Sequence, residues 1–137
     1  MPNEAKHMRR PVIQALSALD AIAVENSAYP GTPDVAYIGG WIELKEKDDW
    51  PKRATTPLRL PHFTKHQRAW IRRHVHRGGT VFVLLKVGKK EWFLLNGADA
   101  ADKLGEMTRA EIESTALLVF HDGLDSEALL RCLKLTI

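Results

Sequence analysis

Two carboxylates and an amine crowd one short stretch of the chain: Asp34, Glu43 and Lys45, with Gly39-Gly40 between them. DVAYI (34–38) and WIELKE (41–46) are rich in β-branched and aromatic residues and flank the glycine pair, which predicts a hairpin. A two-residue turn at Gly39-Gly40 sets Ile38 opposite Trp41, Ala36 opposite Glu43 and Asp34 opposite Lys45. Side chains alternate along a strand, so Asp34, Ala36, Ile38, Trp41, Glu43 and Lys45 share one face. Val35, Tyr37, Ile42 and Leu44 make the other, an apolar core face. Asp34 is then diagonal to Glu43, within reach of one shared ion. Carboxylates so close repel unless a positive group lies between them. Mg²⁺ suits the place, since it takes one or two protein carboxylates and keeps several waters. Lys45 would orient, or help to deprotonate, a water beside the cation. The same residues also suit cross-strand ion pairing on a solvated face, and the hairpin alone does not choose.

Gln67 bears on that choice. Thr64-Lys65-His66-Gln67 has the form of a capping box that opens a helix over 64–77, and Gly78-Gly79 closes it. At helical spacing Trp70, Ile71 and His74 form a stripe with Gln67 in its middle, while Lys65, Arg68, Arg72 and His76 gather elsewhere. A buried amide needs hydrogen-bond partners, and the polar end of the hairpin would supply them. Capping the helix start is the other role for Gln67, and the two are compatible.

The elements that must position these groups are legible around them. Residues 10–20 predict a helix with Pro11 in its first turn and Val12, Leu16 and Leu19 on one face. AIAVE (21–25) predicts a strand, 26–33 a loop, and 47–63 a long polar connection bearing prolines. TVFVLLKV (80–87) and EWFLLN (91–96) predict a second hairpin across Gly88-Lys89-Lys90. The remainder predicts short helices near 98–104 and from Thr108, a strand at 115–120 and a last helix at 125–134. The order is mixed helix and sheet around one core.

With 137 residues, the chain has length for one such domain and not for two. No apolar run approaches the roughly 18 residues of a membrane span, and MPNEAKHMRR lacks the apolar segment of a secretory signal, so a cytoplasmic protein is expected. The single cysteine, Cys132, excludes an internal disulfide and a cysteine-cluster zinc site, and LLRCLKL predicts that it is core. Charge is distributed unevenly. Pro51 to Lys90 holds eleven of the twenty Lys/Arg and none of the seventeen Asp/Glu, leaving the rest of the chain at −8. Such a block is the footprint of a polyanion partner, most often nucleic acid, or else a solvated basic face.

Pro33-Asp34, then Glu43-Leu44-Lys45, then Gln67-Arg68-Ala69-Trp70 on a following helix together resemble the PD-(D/E)XK nuclease superfamily, which includes restriction enzymes, Holliday-junction resolvases and small phage or repair nucleases. GTPDV, GGWIELK and HQRAW are most similar to small resolvase-like or VRR-type members. The resemblance covers roughly residues 10–96, with 97–137 as a C-terminal α/β extension of the same single domain. It implies an α/β, restriction-endonuclease-like mixed sheet flanked by helices, and a Mg²⁺-dependent deoxyribonuclease in which Mn²⁺ substitutes. Asp34 and Glu43 would hold the metal with the backbone carbonyl of Leu44. Lys45 would position the attacking water and stabilise charge on the phosphate, and Gln67 would hold the lysine or the water. Cleavage in this superfamily typically leaves a 5′ phosphate. Many members carry a further metal-binding glutamate on the first helix. Here Gln14 takes the inward position on that helix, Glu4 falls before it, and Glu25 on the next strand is the other candidate ligand.

Arg53, Arg59, Lys65, Arg68 and Arg72 are the expected phosphate contacts, which position a backbone and carry no sequence information. His74 and His76 point apart on a helix and cannot share an ion, whereas His62 and His66 flank the loop–helix junction. Trp50 suits packing or base stacking, and Trp70 suits the core. Two functions follow: a nuclease acting on branched or otherwise structured DNA, or a non-catalytic nucleic-acid-binding module on the same fold. An RNA-directed or modification-dependent nuclease is a third. Junction resolvases of the superfamily are dimers, so a homodimer is compatible with the resemblance, but no apolar seam demands one.

Overall fold

The computed structural model describes residues 6–25 and 28–137. Six strands form one sheet in chain order: β1 (Ile22–Ala23), β2 (Val35–Tyr37), β3 (Gly40–Lys47), β4 (Val81–Val87), β5 (Glu91–Asn96) and β6 (Leu118–Phe120). Only β3 and β4 run parallel, because α2 (Lys65–His76) carries the chain back between them; every other neighbouring pair is antiparallel. The remaining helices are α1 (Lys6–Ala15), α3 (Gly97–Lys103), α4 (Arg109–Thr115) and α5 (Ser126–Lys134). No helix among the described residues is long and apolar enough to cross a membrane.

Strand alternation splits the core into two layers. Val35, Tyr37, Ile42, Leu44, Phe82, Leu84, Trp92 and Leu94 pack against Met8, Val12 and Leu16 of α1 and Leu129 and Leu133 of α5. Val81, Val83, Leu85, Phe93 and Leu95 face the opposite way, toward Ile71 of α2, Ala100 and Ala101 of α3, Ile112 of α4 and the connection residues Leu58, Leu60 and Phe63. The predicted core face of the first hairpin is therefore the observed one. Cys132 is half-buried beside the first layer, and burial pushes its thiol up from the ordinary value.

Three expectations need correction. The first hairpin turns at Ile38-Gly39, with Tyr37 paired to Gly40, Ala36 to Trp41 and Val35 to Ile42. Neither Gly39 nor Gly40 takes a left-handed φ, so the turn is not of the type that the glycine pair predicts. Gly40 has another reason to be glycine: a Cβ there would lie 2.4 Å from the Thr80 carbonyl oxygen, where β3 passes the start of β4. Secondly, α1 begins earlier than 10, so Pro11 lies inside it; burial of Met8, Val12 and Leu16 on one face outweighs the backbone bond that proline removes. Thirdly, Gln14 is exposed rather than inward, since the buried stripe passes through Val12 and Leu16. Glu4 and residues 26–27 lie outside the described residues.

The helix over the second layer is pinned from below. Arg68 of α2 donates to the carbonyls of Ala100, Ala101 and Leu104 at 3.3, 3.0 and 2.6 Å, and through Nε to that of Phe63 at 3.2 Å. Its guanidinium also lies over the Phe63 ring, 4.0 Å from the centroid. Arg72 donates to Ala101 at 2.7 Å and pairs with Asp102 at 2.9 Å. Both arginines thus bind carbonyls at the C-terminus of α3, those of Ala101 and Leu104 among them, where positive charge is also favoured by the helix dipole. Arg68→Ala is expected to lower stability by about 2 kcal/mol through lost charge-assisted bonds and ring contact. Thermal unfolding would register this as a lower Tm, and Lys65→Ala, on the exposed side of α2, should leave Tm almost unchanged.

Candidate active site

The register brings the acids closer than the glycine-pair turn predicts. Sliding the hairpin by two residues keeps each side chain on its expected face but carries Asp34 from the position opposite Lys45 to the one opposite Glu43. β2 begins at Val35, so Asp34 is just off the strand end and its side chain takes the place of a ladder partner. Its Oδ2 accepts the Leu44 backbone N–H at 2.9 Å. A strand residue presents its N–H and C=O to the same edge, so the Leu44 carbonyl faces this carboxylate as well.

Glu43 and Lys45 are buried, at 1% and 3% exposure, which removes the solvated-face alternative. Lys45 Nζ lies 3.2 Å from Glu43 Oε2 and donates to Gln67 Oε1 and to the His62 carbonyl, both at 2.9 Å. The Phe63 ring lies alongside, 5.3 Å from Nζ. Gln67 performs both of its expected roles: Oε1 accepts from Lys45 and from the Thr64 backbone N–H at 2.9 Å, while its own N–H donates to the Thr64 hydroxyl at 3.2 Å. The capping box fixes the amide at the helix start, and the amide fixes the lysine. Trp70 stacks on His74 at 4.6 Å between centroids and meets Trp41 edge-on at 5.3 Å, closing the apolar side of this corner.

Glu43 is the unusual group. Its Oε1 is buried with no hydrogen-bond partner. Burial pushes its carboxyl up to about 8, the neighbouring Asp34 carboxylate adds to the effect, and Lys45 pulls the other way without overcoming it. An orphaned, desolvated carboxylate oxygen beside a second carboxylate and a strand carbonyl is an all-oxygen donor set that fits a hard divalent cation. Among the described residues no cluster of three or more His, Cys, Asp or Glu gathers, so any such ion would rest on two carboxylates.

The other expected residues are placed as follows. Glu25 is 78% exposed at its side chain and is bound by Arg9 Nη1 at 3.0 Å. Arg53, Arg59 and Lys65 are exposed, on the connection 48–64 and the start of α2; Arg59 touches the Gly105 carbonyl at 3.2 Å. Arg68 and Arg72 are engaged with α3, so the expected phosphate contact of Arg68 gives way to four backbone carbonyls. Trp50 packs edge-on against Phe93 and donates Nε1–H to Glu91 at 2.8 Å. Arg9 is the group that sequence reasoning missed: Nη2 lies 3.7 Å from Asp34 Oδ1. Extending the Val12–Leu16 stripe one turn back to Met8 would have brought its neighbour Arg9 into view.

The raised carboxyl of Glu43 makes the cation-free protein pH-sensitive. Its folded value of about 8 lies above the unfolded one near 4.5, so the stabilising proton is fully held below about 4.5 and lost as pH rises through 8. Glu43→Gln removes that charge, and in metal-free buffer above pH 8 the variant should exceed wild type in urea-unfolding stability by roughly 1–3 kcal/mol, the scale of one uncompensated buried group. Near pH 4.5 the difference should vanish.

No protein-family model and no curated protein matches the chain. Among solved structures it is similar to Hjc of Archaeoglobus fulgidus, a Holliday junction resolvase from an archaeal hyperthermophile, at 17% identity and a TM-score of 0.54. The likeness covers 96% of this chain and 100% of that one. At that identity what the two share is architecture. The chain has the resolvase, restriction-endonuclease-like fold, a mixed six-stranded sheet between helices.

Proposed function

We propose that the chain is a Mg²⁺-dependent nuclease that hydrolyses phosphodiester bonds of DNA, an endonuclease selective for branched substrates such as a four-way junction. The observation that carries this reading is the convergence of Asp34, buried Glu43 and buried Lys45 at one strand edge, with a carboxylate oxygen left without a partner. Similarity of fold to a junction resolvase supports it independently.

Asp34, Glu43 and the Leu44 carbonyl would hold the ion, with Mn²⁺ able to replace Mg²⁺. The ion would lower the pKa of a nearby water and offset negative charge on the phosphate. Lys45 stays held by Gln67 and the His62 carbonyl; with Glu43 turned to the ion, its third N–H would orient the attacking water and face the charge that builds on the phosphate oxygens. Water oxygen bonds to phosphorus and the bond to O3′ breaks, leaving a 5′ phosphate and a 3′ hydroxyl. Exposed Arg53, Arg59 and Lys65 would contact the DNA backbone. The connection 48–64 that bears Arg53 and Arg59 is longer than a plain strand-to-helix link needs, as binding loops often are.

Labelled four-way junction, flap and duplex incubated with Mg²⁺ test the proposal. Wild type should cut the junction in preference to duplex, and Asp34→Asn or Lys45→Ala should lower the rate at least about 10²-fold, the scale seen when one transition-state contact is removed. Junction cleavage untouched by either substitution overturns the mechanism. Junction binding that is insensitive to EDTA, without cleavage, would establish the binding-module alternative. Cation affinity should also follow pH. Since the ion displaces a proton held by Glu43 up to about 8, Mn²⁺ affinity measured by titration calorimetry should rise by up to about tenfold per pH unit below 8 and level off above it.

A further inference from the structure

The proposed cation site has a neighbour that the fold supplies for no evident packing reason. Arg9, on α1, is four-fifths buried at its side chain, and its head lies between two carboxylates from opposite ends of the connection that joins β1 to β2. Nη1 meets Glu25 Oε1 at 3.0 Å and Nη2 lies 3.7 Å from Asp34 Oδ1. The two oxygens of Asp34 thus face different groups: Oδ2 takes the Leu44 N–H, and Oδ1 looks toward the guanidinium. Nε of Arg9 is buried without an acceptor, so the head is tied through its two Nη atoms. The guanidinium places a positive charge between Asp34 and Glu25.

We infer that Arg9 stands in for a second cation, so that the site takes one divalent ion, between Asp34 and Glu43, and Glu25 is no ligand to it. The inference rests on the nuclease reading for the identity of the first site. Asp34 and Glu25 would otherwise be the pair to recruit a further ion, and a divalent cation placed there would meet a fixed guanidinium at contact distance. Arg9 offsets the charge of Asp34 on the side that the first ion does not reach. It acts as a positioning residue that sets the metal count and holds Asp34 toward β3.

The test is a count of bound ions on the folded full chain. Mn²⁺ titrated into wild type, followed by electron paramagnetic resonance of the free ion, should give one ion per chain. Glu25→Ala, a change at an exposed side chain, should leave that count and its affinity within about twofold of wild type. Arg9→Gln, checked for folding by circular dichroism, should gain a second ion, and Arg9→Gln/Glu25→Ala should lose it again. Two ions in wild type, tenfold weaker binding in Glu25→Ala, or a single ion in folded Arg9→Gln each overturns the inference while leaving the nuclease reading standing. Should Arg9→Gln fail to fold, the wild-type count and Glu25→Ala decide. No bound Mn²⁺ in folded wild type overturns both.

Discussion

The site depends on the cost of keeping Glu43 ionised where water cannot reach it. Its position in the middle of β3, with β2 and β4 on either side, leaves it 1% exposed, and Asp34 directly opposite denies it a neutral neighbour. Lys45 compensates only in part, because its Nζ is shared with Gln67 and the His62 carbonyl. A fold selected for stability alone would place an amide or an apolar residue at this point. A carboxylate retained there, with one oxygen unpartnered, is strain kept at a place where an added positive charge would relieve it.

The surrounding structure consists of devices that hold this arrangement without solvating it. The capping box of α2 is one of them. A helix N-terminus normally consumes the N3 side chain in capping, but here the Gln67 oxygen has two lone pairs and serves the Thr64 N–H and Lys45 together. Rotation or fraying of the first turn of α2 would therefore move the lysine. Arg68, one residue on, opposes such movement by locking α2 to the end of α3 and to the Phe63 carbonyl. Phe63 in turn lies beneath both Arg68 and Lys45. The helix, the connection and the strand are thus coupled at Lys45 Nζ, through Gln67 of α2 and through His62 and Phe63 of the connection.

Much of this was legible in the sequence because alternation and capping are local rules. The face shared by Asp34, Glu43 and Lys45 follows from strand period alone, and it survives the two-residue slide of the hairpin because the slide is even. Gln67 was legible for the same reason: Thr64 fixes the helix start, and the start fixes which face each residue takes. What could not be read was the identity of partners set by tertiary distance. Gly39-Gly40 has the composition of a turn, yet Gly40 is required by the Thr80 carbonyl across the sheet, a contact that no window of neighbouring residues contains. The burial of Glu43 and the contacts of His62 and Phe63 with Lys45 also lie beyond local pattern, so strand period alone leaves a solvated face and a buried site equally open.

The basic block shows where composition stops carrying information. Eleven cations without an acid describe a net field, but a field is the sum of charges that fold and charges that bind. Arg68 and Arg72 are consumed by α3 carbonyls, and Lys86 lies 3.8 Å from Glu46 and over the Trp92 ring. Arg53 and Arg59 on the connection and Lys65 at the helix start stay exposed. Helical spacing groups Lys65 with Arg68 and Arg72, although only the last two reach α3. The difference arises because guanidinium forks match the open carbonyls of a helix end, whereas an ammonium on a flexible stem finds its hydration in water. Which cations stay available to solvent is therefore decided by packing, of α2 on α3 above all, rather than by the charge pattern itself.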